Sequence, residues 1–323
     1  MKPSERGAAL LTVLMLVSVM AVLSASALER LRISTRLAAN AGTIDQARAY
    51  AIAAEEIALA RITTLVDADP ARTPVTGWQD QETSLPLPGG AAVAVVRDGG
   101  NCFNLNSVVT GQVGQSLLAR PAGIAQFVAL MQGVGVGQQE AQKVATSLAD
   151  WIDSDQAEQP GGAEDAAYAG AETPYRTADT LVADPSELRA VAGVTPELYE
   201  RIRPWVCALP ATDLSPLNVN TLSPEQAPLL AMLLPSKLSP DAARAVIQRR
   251  PLGGWESGYA FGRMLVDQGI VLVEGEAQIG VRTRWFGLRL QVQLGDTEVS
   301  ETALIDAGVL PARLVRRSWG DDQ

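Results

Sequence analysis

The sequence of 323 residues contains no histidine. This absence removes serine and cysteine triads that use a histidine base, HExxH zinc sites and any histidine-based pH switch. Positive charge is also scarce, because 26 lysines and arginines face 36 acidic residues, which gives a formal charge of −10. A surface built to bind phosphate would need the opposite balance. We therefore expect no nucleic-acid partner and no histidine-based enzyme.

Cysteine is the next scarce residue, since the chain has only Cys102 and Cys207. A disulfide between them is permitted if the body of the protein lies outside the cytoplasm. Two separate buried thiols are the alternative, and the distance between the residues in the fold decides between the two.

One long hydrophobic run stands at the N-terminus. After a short charged leader that ends at Gly7, the 21 residues from Ala8 to Leu28 carry no charge. A helix of that length covers about 30 Å, which is the hydrocarbon thickness of a bilayer. A cleaved signal peptide with its site at Ser24–Ala27 is the alternative, but its apolar core would be shorter. The run predicts a membrane-spanning helix.

The helical pattern continues beyond the membrane run. From Leu28 to about Val66 there is no proline and one glycine, Gly42, and strong helix formers dominate. The apolar residues keep a spacing that places them on one face. We predict a single helix of nearly 60 residues that stops at Asp69-Pro70.

Strand patterns occur on both sides of a long helical block. Residues 74–90 read as a loop and 90–97 as a strand, and three further strands are predicted at 278–294, 298–305 and 310–319. A lone strand cannot form a sheet, so we expect the first to pair with the last three in an antiparallel arrangement. The helical block between them is then an insertion whose ends lie close together.

The helical block contains two related modules, Asn104–Trp151 and Asn218–Ile270. Each opens with an Asn-x-Asn motif that can cap a helix, and each ends near a tryptophan. The repeat predicts two similar helical units within the insertion.

Between the modules, residues 150–187 form a loop rich in carboxylates, proline and glycine. Clustered carboxylates repel one another unless a cation neutralises them, and Ca²⁺ accepts 6 to 8 oxygen ligands in flexible geometry. A zinc or copper site is not expected without histidine. Asp153-Ser154-Asp155 imitates the start of an EF-hand, but the glycine and glutamate that should follow are missing. A solvated acidic loop without a metal is the alternative.

Several motifs follow one another along the chain in a fixed order. They are Arg6–Leu14, Phe103–Asn106, Leu148–Asp155, Gly162–Asp165, Pro174–Arg176, Ser186–Arg189 and Leu217–Thr221. Together they resemble the K-type minor pseudopilin of the bacterial type II secretion system (general secretion pathway protein K).

The resemblance implies an α+β fold, in which a type IV pilin-like long N-terminal helix packs on a small antiparallel sheet. A large all-α domain is inserted between the first strand and the C-terminal strands. The implied parts are a prepilin leader (1–7), a transmembrane segment (8–28), a pilin-like domain (29–103 and 276–323) and the inserted domain (104–275).

The resemblance also implies the site residues. A prepilin peptidase would cut between Gly7 and Ala8 and leave Ala8 as a methylated N-terminus. A structural Ca²⁺ would bind in the acidic loop, and the positions that match the family's acidic motifs are Asp153, Asp155, Glu164, Asp165 and Glu187. Asp179 stands close to where the family often has an asparagine and is a substitute ligand.

The function implied by the resemblance is structural rather than enzymatic. Family members sit in the bacterial inner membrane by a single span, with the bulk of the chain in the periplasm. They cap the pseudopilus tip in complex with I- and J-type minor pseudopilins, and they support export across the outer membrane. Membrane lipid, the major pseudopilin and the inner-membrane secretion assembly are further expected partners. Thr12 stands where pilin-like proteins usually carry a glutamate, which neutralises a neighbour's terminal amine, and the K-type family shares this departure.

Two rival functions remain open from the sequence. The Ala192–Thr195 turn between short helices is typical of a membrane-anchored helix-hairpin-helix protein for DNA uptake, although acidic residues flank it. A Ca²⁺-dependent hydrolase that uses two carboxylates of the acidic loop is the second rival.

Overall fold

The longest element is helix α1, Pro3–Ala68, in a computed structural model that describes residues 3–112, 114–170, 173–270 and 278–320. Its first part exposes a series of large apolar side chains from Leu10 to Leu37. Among the described residues it is the one helix long and apolar enough to cross a membrane. The helix ends just before Asp69-Pro70, because proline supplies no N–H to continue it. The predicted single long helix is confirmed.

Five strands form one antiparallel sheet in which spatial order follows chain order. They are β1 (Glu82–Leu87), β2 (Gly90–Asp98), β3 (Trp285–Leu294), β4 (Thr297–Asp306) and β5 (Arg313–Trp319). Strand β2 pairs with β3 so that Gly90 lies opposite Leu294 and Asp98 opposite Phe286. The predicted pairing of the early strand with the C-terminal strands is thus confirmed.

The sequence pattern did not predict strand β1, since it indicated a loop at residues 74–90. Pro86 argues against a central strand, but β1 lies at the edge of the sheet, where a missing N–H is tolerated. The predicted strand at 278–294 is also divided in two, since Ile279–Gly280 pairs elsewhere before β3 begins. The last strand starts at Arg313 rather than at residue 310.

The second half of α1 packs across the sheet through small and branched side chains. Ala54, Ala58 and Ile62 are buried against Leu288 and Leu290 of β3. Alanines at these positions let the helix backbone lie close to the strands, so that contact is dense along its length. This layered packing of one helix on one sheet is the pilin-like α+β arrangement that was predicted.

The inserted domain is mainly helical. Its helices are α2 (Pro121–Gly133), α3 (Gln138–Ile152), α4 (Asp165–Tyr168), α5 (Pro196–Ile202), α6 (Ala227–Ala231), α7 (Pro240–Gln248) and α8 (Gly258–Asp267). Short 3₁₀ helices lie at Leu105–Val108, Pro185–Ala190, Arg203–Trp205 and Pro224–Gln226.

The insert was predicted to be purely helical, but it takes part in three short strand pairings. These are Phe103–Asn104 with Val206–Cys207, Val109–Thr110 with Leu118–Ala119, and Leu217–Asn218 with Ile279–Gly280. Each pairing involves only two residues per strand, which is too short for a period-two pattern to be visible in the sequence. The predicted domain boundary at 275/276 lies outside the described residues.

The two related modules open with the same local structure. Asn104 accepts a hydrogen bond from the amide of Asn106 at 3.2 Å, and Asn218 accepts one from the amide of Asn220 at 2.9 Å. All four asparagines are buried. Asn106 also bridges the carbonyls of Val182 and Leu209, which ties distant segments of the insert together.

The insert lies at the end of the sheet furthest from the membrane segment. Along α1, the earlier residue Ala47 packs at the Leu294 end of β3, and the later residue Val66 packs in the cluster that contains Phe286. The chain leaves β2 after Asp98 and returns beside it, where the amide of Gly99 donates to the carbonyl of Trp285 at 2.8 Å. Roughly 30 Å of helix, at 1.5 Å per residue, separates Ala47 from this end.

Candidate metal centre in the acidic loop

Helix α3 delivers the first carboxylates of the acidic loop. The helix ends at Ile152, and Asp153 follows in extended conformation with its amide bonded to the carbonyl of Ala149. Asp150 and Asp153 are fully buried, one turn apart on the same helical face. The indole ring of Trp151 packs edge-on against Tyr168 and holds the returning part of the loop.

Three predicted ligands converge next to this helix end. One carboxylate oxygen from each of Asp153, Asp155 and Glu164 lies within 4.8 Å of the other two. Asp153 and Glu164 are buried and Asp155 is exposed. All four carboxylate oxygens of Asp153 and Glu164 lack a hydrogen-bond partner. A buried carboxylate without a partner is costly, so this cluster has the oxygen set and the unmet charge that a hard cation would satisfy.

Asp150 has a different role, because its oxygens are already used. They accept hydrogen bonds from the amides of Gln159 at 3.1 and 3.2 Å and of Ala163 at 2.8 Å. Gly162 permits this closure, since a Cβ at that position would stand 1.9 Å from the carboxylate of Asp150. Asp150 therefore folds the loop back onto α3 and brings Glu164 beside Asp153.

The crowding of carboxylates changes their acidity. Burial raises the pKa of Asp153 to about 7, and the charges of Asp155 and Asp150 add to the rise. Burial likewise raises the pKa of Glu164 to about 7, with repulsion from Asp150 and Asp153 as the next causes. Both groups therefore resist ionisation in the metal-free protein at neutral pH. A bound divalent cation would favour their charged forms.

The structure does not bring Asp165 into the cluster. Its Oδ1 accepts hydrogen bonds from the amide and the hydroxyl of Thr177, at 3.0 and 2.9 Å. Its Oδ2 lies 3.8 Å from the guanidinium of Arg176. These hydrogen bonds, and then Arg176, lower the pKa of Asp165 despite some desolvation. The carboxylate is satisfied by the loop itself.

Glu187 is likewise not part of the cluster. Its carboxylate accepts hydrogen bonds from the amides of Ala183 at 2.7 Å and Asp184 at 3.0 Å, as the third residue of a capping box on the 3₁₀ helix. In this structure it caps the start of that helix.

Asp179, the substitute ligand, lies close to the three converging residues. Its charge contributes to the raised pKa of both Asp153 and Glu164, and its Oδ1 lies 2.9 Å from the hydroxyl oxygen of Thr177. The structure thus brings three of the five predicted ligands together and adds Asp179 as a neighbour.

The two cysteines form a disulfide in the structure, with their Cα atoms 5.8 Å apart. Cys207 lies in the short strand that pairs with Phe103–Asn104, so the bridge joins the beginning of the insert to its middle. The acidic loop lies within the segment of the chain that the bridge closes.

The predicted processing site lies in α1. Gly7 and Ala8 belong to the helix, and the leader residues 1–2 lie outside the described residues. Cleavage between Gly7 and Ala8, and methylation of Ala8, stay predictions.

Known proteins resemble this chain over nearly its whole length. Two family models, both described as type II secretion system (T2SS) protein K, match residues 101–211 and 217–282. The "Type II secretion system protein K" of Pectobacterium carotovorum subsp. carotovorum is 33% identical over 99% of this chain and 98% of its own length. The protein of the same description from Aeromonas hydrophila is 35% identical over 91% of this chain and 90% of its own.

A solved structure is similar as well. A chain of the GspK-GspI-GspJ complex from the type 2 secretion system of enterotoxigenic Escherichia coli superposes with a TM-score of 0.74 and 29% sequence identity. The match covers 86% of this chain and 97% of that chain.

Proposed function

This chain belongs to the type II secretion system protein K family, and from that premise we propose that it caps the tip of the pseudopilus and supports protein export across the outer membrane. It is a minor pseudopilin of that system. The proposed role is structural and requires no chemical step.

The position of the inserted domain is the observation that carries the proposal. The insert is attached where β2 ends and β3 begins, next to the last turns of α1 and away from the membrane segment. A pilin-like filament packs its subunits through their long helices. A bulky domain at the far end of the helix is compatible with a position above all other subunits, and it would collide with neighbours along the shaft.

The N-terminal helix supports the same position. Thr12 offers no carboxylate where pilin-like proteins usually have a glutamate for a neighbour's terminal amine. A carboxylate left in the bilayer without its partner would be costly. A subunit with no other subunit above it has no such partner, so an uncharged residue suits that place.

The partners that we propose are the I- and J-type minor pseudopilins, since the similar solved chain is part of a GspK-GspI-GspJ complex. We further propose the major pseudopilin, the prepilin peptidase and the inner-membrane assembly as partners. In this proposal the chain spans the inner membrane once, and its body lies in the periplasm. Contact with lipid follows from the exposed apolar side chains of α1.

Co-purification tests the proposed complex. The full chain, extracted in a mild detergent, should be retained by a tagged I-type pseudopilin together with the J-type protein. A tagged major pseudopilin, used in place of the I- and J-type proteins, should retain much less of this chain. Equal retention by the major pseudopilin alone would contradict a tip complex, because it would indicate ordinary shaft packing.

We propose that Ca²⁺ binds at the cluster of Asp153, Asp155 and Glu164, as a structural ion. The support is the pair of buried carboxylates without hydrogen-bond partners, next to an exposed carboxylate within reach. When bound, the ion would supply positive charge, and these residues would hold the loop against α3. Asp179 is the neighbour best placed to contribute a further oxygen.

Thermal unfolding with and without Ca²⁺ tests the metal proposal. Added Ca²⁺ should raise the melting temperature of the natural chain, and Asp153→Asn with Glu164→Gln should abolish that gain. Glu187→Gln is the matched control, since glutamine also serves as the third residue of a capping box. A gain that survives the Asp153 and Glu164 changes, or one lost in the Glu187 control, would contradict this ligand set.

A further inference from the structure

A cavity of about 410 Å³ lies between the sheet and the inserted domain. One wall is the face of the sheet that α1 does not cover. Successive side chains of a strand point to opposite faces, so Arg317 reaches α1 while Arg316 and Ser318 line the cavity. The other wall is the 3₁₀ helix Pro185–Ala190 together with α5 and the residues that follow it. We refer to this cavity as the arginine cleft.

Four guanidinium groups and one carboxylate line the arginine cleft. They belong to Arg97, Arg203, Arg289, Arg316 and Asp184. The chain as a whole carries a formal charge of −10, so this concentration of positive charge is a local exception. Positive charge gathered in a concave site with low-dielectric walls attracts anions more strongly than the same charges spread on a surface.

Two of the arginines are engaged within the protein. Arg316 donates to the carbonyl of Ala183 and lies 4.0 Å from the carboxylate of Asp184. Arg97 lies 3.6 Å from the carboxylate of Asp80. The contacts of Arg316 link the sheet to the insert.

The other two arginines have no such partner. Across the described ranges, neither Arg203 nor Arg289 forms an ion pair within 4.0 Å or a side-chain hydrogen bond, and Arg203 interacts with the carboxylate of Asp184 only at longer range. They come from opposite walls, since Arg289 lies on β3 and Arg203 follows α5. A guanidinium offers a planar fork of donors that matches a carboxylate, so each can bind one carboxylate of a ligand.

We propose that the arginine cleft binds an acidic peptide segment of a partner protein, with Arg203 and Arg289 each pairing with one of its carboxylates. The volume of about 410 Å³ lies in the range of pockets that enclose a drug-sized ligand, and it exceeds what a single small anion fills. Leu304 and Val206 add apolar surface for the backbone and side-chain carbons of such a segment. The proposal does not depend on the position of the protein in a filament.

A peptide-binding measurement tests the cleft in the full chain in detergent. The probe is a short fluorescent peptide of alternating glutamate and glycine, and its partner probe has glutamine for every glutamate. We expect the glutamate peptide to bind, more weakly as salt increases, and the glutamine peptide not to bind. Arg203→Gln with Arg289→Gln should weaken binding at least about tenfold, since each removes a charge-assisted hydrogen bond.

Arg263→Gln is the matched control, because Arg263 is an exposed arginine of α8 and not a residue of the cleft. It should leave binding unchanged. Equal binding of both peptides, or equal loss in the Arg263 control, would overturn the proposal. Inorganic phosphate is the competitor that separates a small-anion site from a peptide site. If a low concentration of phosphate displaces the peptide at matched ionic strength, the peptide-site proposal is also overturned.

Discussion

A buried charge network between α1 and the sheet makes the most specific prediction about stability. Arg317 of β5 donates to both carboxylate oxygens of Glu55, at 2.9 and 2.7 Å, and Glu55 is 1% exposed. Glu301 of β4 is also 1% exposed, with its Oε1 3.5 Å from Arg317 Nε. Two carboxylates thus share one guanidinium in the pilin-like core.

Ionisation of the second carboxyl group, that of Glu301, costs free energy in the folded protein. Burial, followed by the adjacent Glu55, raises the pKa of Glu301 from 4.5 to about 8. The folded protein therefore holds a proton that the unfolded chain releases above pH 4.5. The contribution of this carboxyl group to stability therefore falls as pH rises between these two values, by up to about 1.4 kcal/mol for each pH unit. Between pH 5 and pH 8 the loss is on the order of 3 kcal/mol.

The change Glu301→Gln isolates this effect, because an amide keeps the shape of the protonated side chain and does not ionise. We expect the natural chain and the variant to have similar free energies of unfolding at pH 5, and the variant to be more stable at pH 8. Chemical unfolding of the full chain in detergent, followed by tryptophan fluorescence at several pH values, measures the difference. Asp153 and Glu164 are present in both chains, so their own titration cancels in this comparison.

Glu298→Gln on the same strand is the control, since Glu298 is exposed. It should leave the pH dependence of the natural chain unchanged. If the Glu301 variant and the natural chain lose stability in parallel between pH 5 and pH 8, the proton is not held at Glu301 and the reasoning is wrong.

Three further predictions concern processing, the disulfide and the core. Gly7→Ala should block removal of the leader, so the mass of the chain in the membrane should stay that of the unprocessed form; a normal mature mass would contradict the prepilin assignment. Replacing Cys102 and Cys207 by alanine together should lower the free energy of unfolding by up to about 4.7 kcal/mol, because the bridge spans 105 residues; unchanged stability would show that the bridge does not constrain the unfolded chain. Leu290→Ala should cost about 2 to 5 kcal/mol, since the side chain is fully buried under α1; an unfolding midpoint within error of the natural chain would place this residue outside the core.

The overall arrangement could be predicted from the sequence because its signals are long. The helix formers of α1 extend over dozens of residues, and β3 alternates buried and exposed residues along most of its length. Strand β1 has a weaker signal, since Pro86 interrupts it and its pairing depends on its position at the sheet edge. Only the neighbouring strand determines that such a segment is extended.

The carboxylate cluster could be predicted only in part. Asp153 and Asp155 are close in the sequence, but the approach of Glu164 depends on the way Asp150 closes the loop. The sequence contains a local signal at Glu187, because Asp184 and Glu187 have the spacing of a capping box. That pattern indicates a helix start.

The charge network and the arginine cleft could not be predicted from the sequence. Glu55 and Arg317 are separated by 262 residues, and no local pattern pairs them. Arg203 and Arg289 likewise meet across the cleft only because the insert folds back over the sheet. Contacts of this kind depend on the tertiary fold.

The position of the protein in the filament is the claim on which the account most depends. Both natural cysteines are in the disulfide, so a single cysteine at the exposed Leu252 of the insert can carry a gold label without competing thiols. Electron microscopy of pseudopili assembled with Leu252→Cys should show gold at one end of each filament, and at most one label per filament. Gold distributed along the shafts would contradict the cap.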